Sequence, residues 1–216
     1  MRCVVFDLDG TLADTSADLL AAANASLPRA VLGPEDALTA FHGGRAMLRL
    51  GFSRLEVPWT EADVNLQYPV LLDAYAEGLD RETKLYPGAV AAVEALRKAG
   101  YATAICTNKP EGLAVELVKR LGIADLFGAL VGADTFPVRK PDPLPYIAAV
   151  ERTGGTVARS LLVGDTQTDR DTARAAGVPI VLVTFGPEGH AITRLNPDAL
   201  LHHYNDLPAL AETLIS

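Results

Sequence analysis

The amino-acid sequence predicts an α/β protein in which parallel strands alternate with helices and a mainly helical segment is inserted after the first strand. Three observations predict it. Short apolar runs recur at residues 3–6, 102–106, 129–131, 161–163 and 180–183, as expected of inner strands covered on both faces. Helical patterns of about ten to fifteen residues separate most of them, which calls for parallel strands with right-handed crossovers. From about residue 13 to 81 this rhythm is broken, because helical patterns continue and no clear strand appears.

Each element follows from local chemistry. The run Cys3-Val4-Val5-Phe6 opens the chain as a strand. In the insertion, Thr15 or Ser16 caps a helix carrying Leu19, Leu20 and Ala23, and Thr60 with Asp63 forms a capping box ahead of a helical pattern over 64–79. Pro69 inside that pattern predicts a kink or a break into two helices. The helix over 87–98 starts with proline, carries Val90, Val93 and Leu96 on one face and stops at Gly100. The one over 110–121 repeats the plan, with Leu113, Leu117, Val118 and Leu121 inside and Gly122 as the stop. Helices over 143–152 and 168–176, the latter closed by Gly177, complete the alternation.

Composition limits the function classes. With 216 residues, 49% hydrophobic and 21% charged, the chain is long enough to bury a core without disulfides and is not a disordered or low-complexity sequence. The 27 acidic against 19 basic residues give a formal net charge of −8, which argues against nucleic-acid or anionic-membrane binding, since both need a basic surface. No apolar stretch approaches the roughly 18 residues of a membrane span, and acidic Asp7 and Asp9 come too early for a signal peptide. A soluble cytoplasmic protein is expected. Cys3 and Cys106 each lie in a strand-like run and read as reduced, buried thiols.

The unusual polar residues fall at the strand ends, where open α/β sheets bind ligands. The first strand runs into Asp7-Leu8-Asp9-Gly10-Thr11, the 102–106 strand into Thr107-Asn108-Lys109, and the 161–163 strand into Gly164-Asp165, with Asp169 four residues on. Lys140 follows the 129–131 strand after a short loop. Several carboxylates in one pocket repel one another, so they need raised pKa values or a cation, and an all-oxygen donor set suits Mg2+. Asp7 and Asp165 are the expected carboxylate ligands, with the Asp9 carbonyl as a third. Asp7 is also the candidate nucleophile, and Asp9 is the candidate acid and base. Thr107 and Asn108 can donate to phosphate oxygens while Lys140 supplies a cation beside developing charge. Asp169 is expected to orient its neighbours from the start of a helix.

These stretches together resemble the four signatures of the haloacid dehalogenase-like phosphohydrolases, in order and along the whole chain. The resemblance implies a Rossmann-like catalytic core of residues 1–12 and 82–216 and a helical cap of residues 13–81 that closes over the substrate. It also implies aspartyl-phosphate chemistry with Mg2+ and a phosphate-binding set of Leu8, Asp9, Thr107, Asn108 and Lys140. The second aspartate of the first signature, Asp9, argues against true dehalogenation. The lack of lysine between Ala13 and Arg81 argues against a phosphonate hydrolase.

Within the family, residues 11–19, Tyr86-Pro87-Gly88, Thr107-Asn108-Lys109-Pro110 and residues 139–143 are most similar to phosphatases of 2-phosphoglycolate. Sugar-phosphate phosphatases, pyrophosphatases and phosphomutases of the same superfamily share much of the pattern. A receiver-like switch that is phosphorylated without turnover belongs to a different class and has no use for an insertion of this size. The partner implied is a small phosphate ester, and the chain is expected to be a monomer or homodimer. In the insertion, Phe41-His42-Gly43-Gly44-Arg45 reads as a flexible loop from which Arg45 or His42 reaches a substrate carboxylate. His190, His202 and His203 read as surface residues. Trp59 is expected to pack between cap and core or to mark a contact surface.

Overall fold

The computed structural model describes all 216 residues. Strand β1 (Cys3–Phe6) and the short β2 (Ala13–Asp14) lead into helices α1 (Ser16–Ala25), α2 (Ala37–Phe41), α3 (Gly44–Arg54) and α4 (Glu61–Glu77). After β3 (Lys84–Leu85) come α5 (Ala89–Lys98), β4 (Ala102–Cys106), α6 (Glu111–Arg120), β5 (Ala129–Val131) and α7 (Leu144–Arg152). The chain ends with β6 (Ser160–Gly164), α8 (Gln167–Ala176), β7 (Ile180–Val183), β8 (Ala199–Leu201) and α9 (Leu207–Leu214). Two compact units result, Met1–Ala13 with Leu85–Ser216, and Asp14–Lys84.

The first unit is built on a six-stranded sheet of order β5-β4-β1-β6-β7-β8, every pair of it parallel. The inner strands are apolar on both faces because helices cover both, and every residue of β1, β4, β6 and β7 is buried. Helix α7 packs across β1, β4 and β5, and α8 packs on β6 and β7. Cys3 and Cys106 sit inside this core as free thiols, where burial pushes them up to about 11 and about 12 respectively. Buried Tyr146 shares a 2.6 Å hydrogen bond with Ser160, so its hydroxyl is not left unpaired.

Strand β8 adds an edge that the sequence pattern does not reveal. It is three residues long, and side-chain periodicity cannot be read over so short a run. Its entry is fixed by Asp198, which donates its N–H to the Ile180 carbonyl at 3.0 Å and accepts the Ile180 N–H on Oδ2 at 2.9 Å.

The second unit is helical, with α1 packed against α2, α3 and α4. Helix α4 starts where the capping pattern predicts, since the Asp63 carboxylate accepts the Thr60 N–H at 2.7 Å and the Thr60 hydroxyl at 2.8 Å. It then runs through Pro69 as one helix, which sets aside the break among the two expected outcomes. Proline removes only its own N–H from the ladder, and buried Val64, Leu71 and Tyr75 anchor both halves. Helix α1 has Thr15 at its N-cap position, one of the two expected residues, but without a side-chain cap hydrogen bond. The Asp14 carboxylate, and not a Thr15 or Ser16 side chain, accepts the Ser16 N–H at 3.0 Å and hydroxyl at 2.6 Å. Two buried carboxylates bind the unit together: Asp18 accepts from the backbone of Glu82 and Thr83 and from the Thr83 hydroxyl, and Asp36 pairs with both terminal nitrogens of Arg54. The Arg54 guanidinium holds the Asp36 carboxyl below the usual carboxylate range. Trp59 stacks on Phe52 within this unit at 6.0 Å between ring centroids.

Candidate active site

Parallel register brings three strand ends to one edge. Phe6 lies level with Ile105 of β4 and Val163 of β6, so Asp7, Thr107 and Asp165 emerge side by side. The backbone pairing extends past the strands, with the Asp7 N–H donating to the Val163 carbonyl at 2.9 Å and the Thr107 N–H to Val131 at 3.0 Å.

Beyond Asp7 the chain makes a tight turn. The Leu8 carbonyl accepts the N–H of Leu12 at 3.0 Å and of Ala13 at 3.1 Å, while the Gly10 N–H donates to Ala13 at 2.9 Å. Gly10 has φ +80°, and a Cβ there would stand 2.2 Å from Asp165 Oδ2, so only glycine lets the turn close on that carboxylate. The Thr11 hydroxyl donates to Asp165 Oδ1 at 2.8 Å, and the buried Tyr204 hydroxyl donates to the Thr11 carbonyl at 2.7 Å.

Asp7, Asp165 and Asp169 each offer an oxygen within 4.8 Å of the others, and all three are buried. Lys140 enters this group from the loop after β5, its Nζ 3.1 Å from Asp7 Oδ1 and 2.6 Å from Asp169 Oδ1, with its side chain 2% exposed. The other oxygen of Asp169 accepts the Thr166 hydroxyl at 2.6 Å and N–H at 3.1 Å, so Asp169 caps α8 while holding the lysine. Close approach here needs Gly164, where a Cβ would fall 2.5 Å from the Asp169 side chain.

The electrostatics follow from that packing. Burial pushes the Asp7 carboxyl up to about 7, opposed by Lys140 and reinforced by Asp169 and Asp9. Burial likewise raises Asp165 well above the usual carboxylate range, with Asp169 and Asp7 adding to the rise. For Lys140 burial acts downward, but the negative charges of Asp169 and Asp7 prevail and the ammonium is held above its ordinary range. Two carboxylates are thus kept from ionising together by their own neighbours, and a cation between them removes that conflict.

The donor set fits a hard divalent cation. Asp7 Oδ1 is buried and has no partner in hydrogen-bond geometry, although Lys140 lies beside it. The surrounding acceptors are all oxygen, as Mg2+ requires, and no thiol or imidazole belongs to the cluster.

The remaining residues of the expected site lie around this cluster or in the helical unit. Thr107 is buried at the end of β4 and its hydroxyl accepts the Lys109 N–H at 3.1 Å. The Asn108 amide donates to the Lys140 carbonyl at 3.0 Å, a bond that fixes the loop carrying Lys140. Asp9 lies in the turn, its carboxylate paired at 2.7 Å with Lys109. Lys109 itself, for which the sequence leaves a solvated and a functional lysine about equally open, is buried at 6% exposure. Its only sequence signal is its place between a strand-end Thr-Asn pair and the proline that starts the next helix. Leu8 is fully buried. Arg45 belongs to the helical unit and is not in a flexible loop. It lies in the first turn of α3, where it donates to Asn65 Oδ1 and places its guanidinium 4.1 Å over the Tyr68 ring. Only His42 and Gly43 separate α2 from α3, and Gly43 has φ +95°.

Comparison with known proteins adds independent findings. The haloacid dehalogenase-like hydrolase family matches residues 4–183. A protein of Mesorhizobium japonicum named phosphoglycolate phosphatase is 40% identical, covering 98% of this chain and 96% of its own. One of the same name from Caulobacter vibrioides is 35% identical over 99% of this chain and 92% of its own. Among solved structures, one from Haemophilus somnus described as a predicted phosphoglycolate phosphatase superposes with a TM-score of 0.82 at 26% identity over 97% of each chain. No helix is long and apolar enough to cross a membrane. With the strand-end aspartates, the buried lysine and the parallel sheet all in the expected order, the chain belongs to the haloacid dehalogenase-like hydrolase family.

Proposed function

We propose that the protein is a Mg2+-dependent phosphatase that hydrolyses a small phosphate monoester, 2-phosphoglycolate first among them, through an aspartyl-phosphate on Asp7. The observation that carries this reading is the Asp7–Lys140 pair: a carboxylate at the end of β1 with one oxygen unspent, beside a buried ammonium that Asp169 holds in place. The substrate is taken from the name of relatives that match this chain over nearly its full length.

In this mechanism an Asp7 oxygen attacks phosphorus and the bond to the ester oxygen breaks, while Asp9 gives its proton to the departing alcohol. Water then attacks the phosphorus, Asp9 takes the water proton, and the Asp7–phosphate bond breaks to return the free carboxylate. Lys140, Thr107 and Asn108 face the phosphate oxygens, and Leu8 and Asp9 add backbone donors from the turn. Asp7, Asp165 and the Asp9 carbonyl would hold the Mg2+, with Asp169 behind them. When bound, that ion neutralises phosphate charge and offsets the repulsion between the carboxylates.

The helical segment serves as a cap that excludes water and selects the substrate, with Arg45 or His42 meeting its carboxylate. The test is phosphate release from 2-phosphoglycolate, sugar phosphates, nucleotides and pyrophosphate, with and without Mg2+, beside Asp7→Asn. Mg2+-dependent multiple turnover of 2-phosphoglycolate, lost in the variant, supports chemistry and substrate together. Turnover of a different ester retains the phosphatase and replaces the substrate, and a single phosphorylation event without turnover overturns the enzyme reading.

A further inference from the structure

The turn that follows β1 is held from the far end of the chain. Tyr204 opens the single 3-10 turn Tyr204–Asp206 between β8 and α9 and is 1% exposed. Its hydroxyl donates to the Thr11 carbonyl at 2.7 Å, and the Thr11 hydroxyl donates to Asp165 Oδ1 at 2.8 Å. We infer that Tyr204 is a positioning residue: acting through Thr11, it fixes the Asp165 carboxylate in the place from which it would hold Mg2+. This inference rests on the metal site proposed above.

Three features carry it. First, the tyrosine ring has a fixed seat. It packs on Phe185 at 5.3 Å between ring centroids, and Phe185 packs on Tyr86 at 4.9 Å, so the rings form one row. Gly88 lies against the base of Tyr204, where a Cβ on the glycine would stand 3.2 Å from the tyrosine Cβ. The Tyr86 N–H donates to the Leu12 carbonyl at 3.0 Å, which ties the row to the same turn at two neighbouring carbonyls.

Second, the turn does not hold Thr11 by its own bonds. Its internal backbone bonds use the carbonyls of Leu8 and Ala13, whereas the Thr11 carbonyl is met by a side chain 193 positions away. Thr11 is fully buried, so a carbonyl that loses this donor is left unpaired or must move. Third, Thr11 and Asp165 are coupled closely. Asp165 Oδ2 stands only 2.2 Å from where a Cβ on Gly10 would be. A shift of Thr11 therefore draws the carboxylate by Oδ1 while the Gly10 backbone limits where Oδ2 can go.

The test reads Mg2+ affinity and not turnover. Protein stripped of metal with EDTA is titrated with Mg2+ in a calorimeter, and its unfolding midpoint is measured without metal. Tyr204→Phe keeps the ring and removes the donor, and is expected to weaken Mg2+ binding about tenfold. Thr11→Val, which keeps the shape and removes the hydroxyl, should weaken it by at least as much. Both act through one bond to Asp165, so the double variant should bind Mg2+ no more weakly than Thr11→Val alone.

The outcomes separate the inference from the reading beneath it. A lowered unfolding midpoint with unchanged Mg2+ affinity in Tyr204→Phe makes the tyrosine a packing residue and overturns the inference. Losses of affinity that multiply in the double variant overturn the route through Thr11. Absence of Mg2+ binding in the unaltered protein overturns the metal site, and the positioning role falls with it. If Tyr204→Phe does not fold, Phe185→Leu takes its place, because it keeps the hydroxyl and loosens the seat of the ring. Weaker Mg2+ binding is expected there too, and unchanged affinity overturns the inference.

Discussion

The Lys140 ammonium lies 2.6 Å from Asp169 Oδ1, and neither side chain is exposed by more than 2%. A pair so placed is expensive to break from one side, because the partner is left as an uncompensated buried charge. Lys140→Met is therefore expected to destabilise the metal-free protein by about 3–5 kcal/mol in urea denaturation, with an unchanged slope. Adding Asp169→Asn should recover part of that loss, so the double variant is less destabilised than the two single effects added. Strict additivity would show that the two residues do not act as a unit.

Metal binding and stability should depend on pH in a defined direction. Burial raises the Asp7 carboxyl from 3.8 to about 7, so between those values the folded protein holds a proton that the unfolded chain has lost. Stability without metal then falls as pH rises from about 4 to about 7 and levels above, since the folded state binds more protons in that window. Asp36 works in the opposite sense, but its carboxyl is lowered, so its contribution is lost only below the unfolded value near 4. In the proposed mechanism the Mg2+ would bind the ionised form of Asp7. The rise in Tm that it produces should be small near pH 5 and largest above pH 7. A Tm gain independent of pH over that span, or one unaffected by Asp7→Asn, contradicts the placement of the ion at Asp7.

Gly10 tests the same site through the backbone. Alanine there meets φ +80° and a carboxylate oxygen 2.2 Å from its Cβ. The left-handed conformation alone costs about 1–2 kcal/mol, and the collision turns Asp165 away from Asp7. Gly10→Ala should fold but bind Mg2+ about 10–100-fold more weakly, as losses of ligand support do. Calorimetric titration gives the affinity directly, and an unchanged value would mean that the turn yields without moving Asp165.

How much of this was legible beforehand depends on the length and locality of each signal. Asp7, Asp165 and Lys140 could be placed together because each ends or follows an apolar strand, and parallel pairing sends all strand ends to one edge. The pairing of Lys109 with Asp9 was not legible. It joins residues a hundred positions apart, and nothing local distinguishes a buried lysine from a solvated one. Tyr204, whose hydroxyl supports the first loop at Thr11, was hidden for the same reason. Helix α4 shows a local signal with two outcomes: Pro69 predicts a kink or a break, and the helix is not broken, with Val64, Leu71 and Tyr75 buried on either side of it. The two glycines before Arg45 predict a loop, yet Gly43 alone turns the chain and Gly44 begins α3.

That helical setting makes Arg45 a sharper candidate for substrate selection than a loop arginine would be. Its guanidinium is braced by the Asn65 side chain and lies 4.1 Å over the Tyr68 ring. Asn65 takes one of its five N–H donors, leaving a planar fork suited to a carboxylate. Such a charge-assisted contact is worth about 1.5–3 kcal/mol. Arg45→Met is accordingly expected to raise KM for 2-phosphoglycolate about 10–100-fold. Kinetics with a neutral-tailed ester such as p-nitrophenyl phosphate should change little, because that ester has no carboxylate to lose. Tyr68→Leu, which removes the ring but not the cation, should move KM in the same direction by a smaller factor. Equal effects of Arg45→Met on both esters would assign the arginine to the packing of α3 on α4, and the carboxylate contact would then have to come from another residue.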